Sequence, residues 1–298
     1  MLLLVIGEVV VRVTHAISEI PRRTIDENGI QKYYPNQKGY WVHGTHTWEI
    51  NSLGWPGKLP DSYDNLITVI GDSFVENFMN PSECHQSVFL KEKLPNYNFL
   101  EAARSGVSFI EAFEISKQLD SLKPVKSLIY VTDSDFIESI KEVKTLEDIT
   151  QVDLKAQEVI FGKMKSPGIK NILYNWKLAY YFYSRFPINL NFWKTNEPEK
   201  VVEKKEDTSL KNNMKIASLL AYINKNYTIK DKVLVFHPSS SMEIIKLCKA
   251  QGFKVIYLDS STDKKSWTFD FDFHWTCYGH EQVANQIKQG LLFDNLIK

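Results

Sequence analysis

The sequence predicts an α/β protein built on a doubly wound parallel sheet, and three observations favour this class. Short, almost wholly apolar runs recur along the chain, as expected of strands that are buried on both faces. Segments with helical periodicity separate these runs. The run at 66–71 stops at a Gly-Asp-Ser, which places polar groups at the strand end where ligands bind in such sheets. The predicted strands are 66–71, 97–101, 126–132, 232–237 and 253–258, and the predicted helices are 82–94, 107–122, 241–250 and the segment from 279 onward.

The residues before this core form two predicted regions. Residues 1–17 start with an apolar run that Glu8 and Arg12 interrupt well short of the roughly 20 residues a membrane helix needs. Two interpretations stay open: an amphipathic first helix with a Glu8–Arg12 pair at helical spacing, or a truncated membrane anchor. Residues 23–60 predict short strands and turns, which we call the collar, in front of the α/β core within a main domain spanning 18–298.

An insertion at 138–212 interrupts the alternation of strands and helices. Its segment 171–193 is dense in aromatic residues, which pack over the sheet or over the site. Aromatic residues at this density more often form core than a platform for sugar rings, and both interpretations stay open. The charged run at 197–211 predicts a solvated loop.

Composition excludes several classes of function. The chain has 298 residues, 36 Lys and Arg against 36 Asp and Glu, and therefore no net charge. Because it also has no basic tract, nucleic acid is not expected as a partner. The three cysteines, Cys84, Cys248 and Cys277, lie far apart without a Cys-x-x-Cys, which argues against a disulfide framework and a zinc ribbon. No cofactor or metal is expected.

Two short motifs near opposite ends of the core supply the residue types of a serine nucleophile and its base. The first is Gly71-Asp72-Ser73-Phe74, at the end of the predicted strand 66–71. The second is Asp272-Phe273-His274-Trp275, followed by Gly279-His280. A serine becomes nucleophilic when a base takes its proton, and a third group must orient the base. If 272–274 is extended, the Asp272 and His274 side chains point to the same side and can meet.

With these motifs the chain resembles the SGNH (GDSL-type) hydrolases, specifically a bacterial subgroup with an Asp-x-His-Trp last block. Residues 71–74 match the first block, and Ala103-Arg104-Ser105-Gly106 matches the second. Many members place the acid three residues before the histidine, where this chain has Phe271; Asp272 is the expected orienter and Asp270 the alternative. The third block, usually Gly-x-Asn-Asp, reads Thr132-Asp133-Ser134-Asp135, so a serine replaces the oxyanion-binding asparagine.

The resemblance implies a flavodoxin-like fold and a set of site residues. The catalytic residues would be Ser73, Asp272 and His274. The oxyanion hole would comprise Ser73, Gly106 and Ser134. Substrate binding would involve Asp72, Asp135 and Trp275.

The implied activity is O-acyl ester hydrolysis or O-acetyl transfer on carbohydrate or polysaccharide, with a small-molecule or carbohydrate ester as partner. The alternative is a catalytically impaired carbohydrate-binding or envelope assembly protein, because a serine hydroxyl reaches less far than an amide. The expected location is the cell envelope, with possible membrane association through the N-terminus, and the cytoplasm is the alternative.

Overall fold

The chain enters the fold through a helix and two hairpins. The computed structural model describes residues 2–186 and 205–297. Helix α1 (Leu2–Val13) is followed by the antiparallel pair β1 (Arg23–Ile25) and β2 (Gln31–Tyr33), and then by the antiparallel pair β3 (Lys38–Trp41) and β4 (His46–Glu49). The collar therefore consists of two hairpins. Within the described residues, no helix is long and apolar enough to cross a membrane.

The first half of the core alternates strands and helices. Strand β5 (Leu66–Gly71) leads directly into the short helix α2 (Ser73–Glu76), and a 3₁₀ turn (Ser82–Cys84) leads into α3 (Gln86–Lys93). The segment predicted as one helix at 82–94 is thus broken at His85, whose backbone is extended and whose ring is drawn to buried Glu101 at 2.5 Å. The chain continues through β6 (Asn98–Ala103), α4 (Phe109–Leu119), β7 (Lys126–Val131) and α5 (Asp133–Glu138).

The insertion folds into a hairpin and helices. Strands β8 (Gln151–Asp153) and β9 (Glu158–Ile160) pair antiparallel, and α6 (Pro167–Asn175) and α7 (Lys177–Arg185) follow. Helix α8 (Lys205–Asn226) buries Ile216, Leu219 and Leu220 in the core. The predicted charged loop at 197–211 lies outside the described residues up to 204; from Lys205 the chain is helical, so the loop prediction is wrong there.

The first helix is attached to the insertion. Glu8 forms the predicted ion pair with Arg12, at 2.6 Å. The same carboxylate accepts the backbone N–H groups of Lys177 (3.0 Å) and Leu178 (2.7 Å) at the start of α7. A carboxylate at a helix N-terminus satisfies donors that have no partner inside the helix. Helix α1 is therefore docked on α7.

The second half of the core completes the sheet. Strand β10 (Lys232–Phe236), α9 (Met242–Ala250), β11 (Lys254–Tyr257), the antiparallel pair β12 (Thr268–Phe269) and β13 (Asp272–Trp275), and α10 (Cys277–Phe293) follow in order. The five core strands are all parallel, in the order β11-β10-β7-β5-β6. This is the flavodoxin-like strand order, so the prediction of a doubly wound parallel sheet is confirmed.

Alternation along each strand builds a core layer on each face of the sheet. In β5, Leu66 and Ile70 face the layer that contains α4 and α8, whereas Ile67 and Val69 face the layer that contains α3 and α10. All six residues of β5 are buried. Because side chains alternate between faces, a continuous apolar run is what a central strand requires. This burial holds β5 rigidly and fixes the position of the residues that follow it.

Candidate active site

A sharp strand-to-helix turn presents Ser73 at the carboxyl end of β5. The side chain of Asp72 accepts the N–H of Phe74 at 3.0 Å and caps α2, of which Ser73 is the first residue. A Cβ on Gly71 would lie 2.6 Å from Val75 Cγ2 and 3.1 Å from Tyr130 Cβ. Glycine is therefore required at position 71 so that α2 can fold back tightly against the sheet.

His274 connects the serine to an acid. Its Nε2 lies 2.7 Å from Ser73 Oγ, and its Nδ1 lies 2.5 Å from Asp272 Oδ1. Asp272 Oδ1 also accepts the backbone N–H of His274 at 2.9 Å. Partial burial disfavours the ionised form of Asp272 and by itself would raise the pKa of this carboxyl. The hydrogen bonds from His274 and the charge of His274 outweigh the effect of burial, so the pKa of Asp272 is lowered. The acid is thus ionised and holds the ring with Nε2 toward the serine.

The structure distinguishes between the two candidate acids. Asp272 stands on β13, two residues before His274, and contacts the ring directly. Asp270 is exposed and forms no hydrogen bond or ion pair with any described residue. The two-residue spacing works because β13 is extended, so that alternate side chains share a side.

Two backbone N–H groups near Ser73 remain available for an oxyanion. Within the described chain, neither the Ser73 nor the Gly106 N–H donates to another protein group. Gly106 has φ +79°, a conformation that favours glycine. The buried Arg104 holds its turn by donating to Ser105 O at 2.6 Å and to both Glu111 oxygens at 2.8 and 2.9 Å.

The third block folds as a helix N-terminus, and the Ser134 hydroxyl forms a hydrogen bond within this block. Asp135 is buried and accepts the Thr132 N–H at 2.7 Å, while the Thr132 hydroxyl donates to Asp135 at 3.1 Å. Ser134 is exposed, and its Oγ lies 2.7 Å from Thr132 Oγ1. Because Thr132 donates its one hydroxyl hydrogen to Asp135, its oxygen can only accept from Ser134, and the Ser134 hydroxyl is the donor of that bond. The hydrogen expected at the oxyanion is therefore engaged elsewhere.

No protein-family model and no curated protein sequence matches the chain. Solved structures with a similar course of the chain include a lipolytic protein of the G-D-S-L family from Desulfitobacterium hafniense (11% identity, TM-score 0.39, covering 76% of this chain and 99% of that one). They also include an esterase from Pseudoalteromonas (10% identity, TM-score 0.41, covering 78% of this chain and 99% of that one). A third is an acetyl xylan esterase from the rumen bacterium Butyrivibrio proteoclasticus (10% identity, TM-score 0.40, covering 81% of this chain and 67% of that one).

The observed sheet and site agree with the resemblance that the sequence shows. The parallel sheet has the flavodoxin-like strand order, Ser73 follows strand β5, and Asp272 and His274 stand near the C-terminus. The three residues meet at the carboxyl edge of the sheet, which is consistent with the SGNH hydrolase fold.

A cavity of about 550 Å³ opens at Ser73 and His274. Its walls come from the core segments that carry these two residues, from the collar and from the insertion. Helices α6 and α7 bury no residue completely, so the aromatic segment is not core over its described part, 171–186. The aromatic side chains lining the cavity are Tyr33, Trp41, Phe74, Phe78, Tyr174, Tyr180 and Tyr183.

The residues expected to bind substrate lie apart from this cavity. Trp275 is 2% exposed and stacks on His237, with ring centroids 5.5 Å apart, in the core layer of α3 and α10. Asp135 is buried under its capping hydrogen bonds. Asp72 caps α2, and burial raises its pKa to about 6 although the Phe74 N–H and His274 act in the opposite sense. None of the three lines the cavity.

The cavity at Ser73 is lined by a buried carboxylate, Glu76, that the sequence analysis did not identify. Glu76 accepts the Tyr33 hydroxyl, the Ser105 N–H at 2.7 Å and the Ser105 hydroxyl at 2.6 Å. It therefore joins the collar, the first block and the second block. Glu76 could have been found, because it stands three residues after Ser73 at helical spacing. Tyr33 could not, because only the tertiary fold brings the collar to the site.

A disulfide also lies beside the site, contrary to the prediction from cysteine spacing. Cys84 and Cys277 are bonded, with Cα atoms 5.0 Å apart, across a separation of 193 residues. Cys248 is free and buried. Spacing along the chain could not reveal the pair, because bonding depends on the distance between Cα atoms in the fold. The bond ties the start of α10, three residues after His274, to the 3₁₀ turn before α3.

Proposed function

We propose that the protein is a serine-dependent O-acyl ester hydrolase or O-acetyltransferase that acts on carbohydrate. The observation that carries this proposal is the hydrogen-bonded series Asp272–His274–Ser73, with distances of 2.5 and 2.7 Å, at the mouth of an aromatic-lined cavity. An oriented base within hydrogen-bond reach of a hydroxyl is the arrangement that acyl transfer through a serine ester needs.

The proposed mechanism has two half-reactions. Ser73 Oγ attacks the ester carbonyl while its proton passes to His274 Nε2, and Asp272 stabilises the imidazolium. The Ser73 and Gly106 N–H groups hold the oxyanion. When the tetrahedral intermediate collapses, the alcohol leaves with the proton from His274, and an acyl-serine remains. Water then attacks the acyl-serine in an esterase, or a sugar hydroxyl does so in a transferase, giving its proton to His274 and restoring Ser73.

The cavity supports carbohydrate as the substrate class. Trp41, Tyr174, Tyr180 and Tyr183 offer flat apolar surfaces with polar edges. Sugar rings present apolar faces of C–H groups, which stack on such surfaces, and polar rims that bond to their edges. The roughly 550 Å³ volume falls within the usual range for pockets that bind small ligands.

The disulfide supports a location outside the cytoplasm. Disulfides persist in oxidising compartments and are rare in the cytosol. We therefore favour the cell envelope. Counting free thiols by mass spectrometry in protein recovered from its native cells tests this: one free thiol supports the proposal, and three contradict it.

A second candidate function is a binding protein with impaired catalysis. The engagement of the Ser134 hydroxyl by Thr132 favours it, since one oxyanion donor of the SGNH pattern is then missing. Loss of one such donor from an enzyme costs about 3 kcal/mol of transition-state stabilisation.

Labelling with a fluorophosphonate distinguishes the two candidates. We expect the probe to attach to Ser73 and the protein to release acetate from aryl and sugar acetates. Ser73→Ala and His274→Ala should each abolish both labelling and hydrolysis, because the residues act as a unit. Ser121→Ala and His43→Ala, at exposed positions, are the matched controls. Folded protein that is neither labelled nor active would favour the binding protein.

A further inference from the structure

Arg23 is a cation in the wall of the cavity without a partner. It is the first residue of β1, is partly buried and lines the cavity that contains Ser73. Its guanidinium forms no hydrogen bond and no ion pair with the side chains or backbone of residues 2–186 and 212–297. The other cation of the cavity, Lys170, is paired with Asp148 at 3.2 Å. Arg23 therefore differs from Lys170 because none of its five side-chain N–H donors is used by the part of the chain that the structure describes.

The nearby carboxylates are already satisfied by other groups. Glu76 accepts three hydrogen bonds, from Tyr33 and Ser105. Asp148 accepts the Lys165 N–H at 2.6 Å as well as the Lys170 ammonium. Both act on Arg23 only through space. Burial alone disfavours the Arg23 charge, but Tyr33, Glu76, Tyr174 and Asp148 together raise its pKa, so that the group stays charged.

A partly buried guanidinium without a partner is costly in a folded protein unless something else binds it. The planar fork of arginine matches a carboxylate with two parallel hydrogen bonds. Because Glu76 and Asp148 add negative charge nearby, a singly charged carboxylate fits better than a doubly charged phosphate.

We propose that Arg23 binds a carboxylate on the substrate, so that the cavity selects O-acylated acidic sugars, the uronates, over neutral sugars. This inference rests on the proposed esterase function and specifies its substrate. The collar thereby binds the charged group of the substrate through Arg23, while Ser73, His274 and Asp272 act on the acyl group. Recognition of a substrate carboxylate explains why an unpaired cation is kept in the wall of the cavity that contains Ser73.

The test compares three methyl glycosides that differ only at carbon 6 of the sugar and carry acetyl groups on the other three hydroxyls. The first is the glucuronide with a free carboxylate, the second is the glucoside with a free 6-hydroxyl, and the third is the glucoside 6-phosphate. Acetate release gives kcat/KM for each. We expect the wild-type protein to prefer the glucuronide to the glucoside by at least about tenfold, as expected for a hydrogen-bonded charge pair. In Arg23→Gln this ratio should fall to near one, and Arg23→Lys should keep part of it.

Arg22→Gln is the matched control. Arg22 is the adjacent, exposed arginine, stacked over Tyr34 outside the cavity, and its loss should leave the ratio unchanged. A wild-type ratio near one, or a ratio that survives in folded Arg23→Gln, overturns the inference. A preference for the phosphate over the glucuronide overturns the choice of carboxylate.

A binding measurement separates failure of this inference from failure of the proposed function. Chemical-shift titration of Ser73→Ala with methyl glucuronide and methyl glucoside needs no catalysis. If the wild-type protein hydrolyses none of the esters but Ser73→Ala binds the glucuronide selectively through Arg23, the esterase proposal fails and the carboxylate site stands. If hydrolysis occurs without selectivity in either experiment, the carboxylate site fails and the esterase proposal stands.

Discussion

Removing the Cys84–Cys277 disulfide should destabilise the protein by several kcal/mol. The bond closes a loop with a sequence separation of 193 residues. Treated as lost chain entropy in the unfolded state, closing a loop of this length is worth about 5 kcal/mol, and removal of native disulfides commonly costs about 2–5 kcal/mol. The double variant Cys84→Ser/Cys277→Ser should therefore lose about 2–5 kcal/mol of unfolding free energy.

Urea denaturation followed by tryptophan fluorescence measures this loss, with and without a phosphine reductant. Reductant should shift the wild-type midpoint to that of the double variant and leave the variant unchanged. Cys248→Ala, at the free buried cysteine, is the control and should keep the reductant dependence. Because Cys277 follows His274 by three residues, we also expect a lower kcat in the reduced protein. A wild-type midpoint that reductant does not move, in protein whose thiols are shown to be reduced, would refute the reasoning.

Three further predictions concern the site. Asp272→Asn should lower kcat by about 10³–10⁴-fold, while Asp270→Asn should leave kcat within about threefold of the wild-type value, because only Asp272 contacts the His274 ring. A larger loss of kcat in Asp270→Asn than in Asp272→Asn, measured by steady-state kinetics, would show that the acid is misassigned. Ser134→Ala should change kcat by less than about threefold, because the Ser134 hydroxyl donates to Thr132 and not to the oxyanion. Ser134→Asn should raise kcat by restoring an amide donor. A tenfold loss of kcat in Ser134→Ala would place the Ser134 hydroxyl in the oxyanion hole. The pKa of Asp72 is raised to about 6 from an ordinary value near 3.8, so the folded state binds the proton more tightly and stability falls as pH rises through this window. Asp72→Asn should therefore gain up to about 3 kcal/mol in urea denaturation at pH 8 and nothing near pH 3, and an equal gain at both pH values would exclude this cause.

The sheet could be predicted because its strands have no polar face. Most residues in runs such as 66–71 and 126–132 are apolar, and the observed strands Leu66–Gly71 and Lys126–Val131 agree with these runs within one residue. The helix predicted at 82–94 is wrong in its first four residues, because tertiary contacts decide the conformation there: His85 turns toward Glu101, and Cys84 is bonded to Cys277. Local pattern carries no information on either contact.

The chemistry of the site could be anticipated, but its walls could not. Asp272 and His274 belong to one short motif whose two-residue spacing indicates their contact, and Ser73 ends a buried strand in a motif that resembles the first block of the SGNH hydrolases. Arg23 and Tyr33 lie in hairpin strands of three residues each, where no periodicity distinguishes a cavity wall from a surface. The resemblance implied that Trp275 binds substrate, yet alternation along β13 turns the Trp275 and His274 side chains to opposite sides and places Trp275 in the core.

The division of the cavity between core and additions has a consequence for how such a protein can diversify. The reacting groups stand on α2 and β13, which the central sheet and its flanking helices hold, whereas the collar and the α6–α7 pair supply much of the wall. Substitutions in those peripheral segments can change which molecule is accepted without moving the nucleophile. Laboratory evolution of new selectivity should therefore concentrate its mutations on residues 20–41 and 170–183 and leave the motif residues untouched.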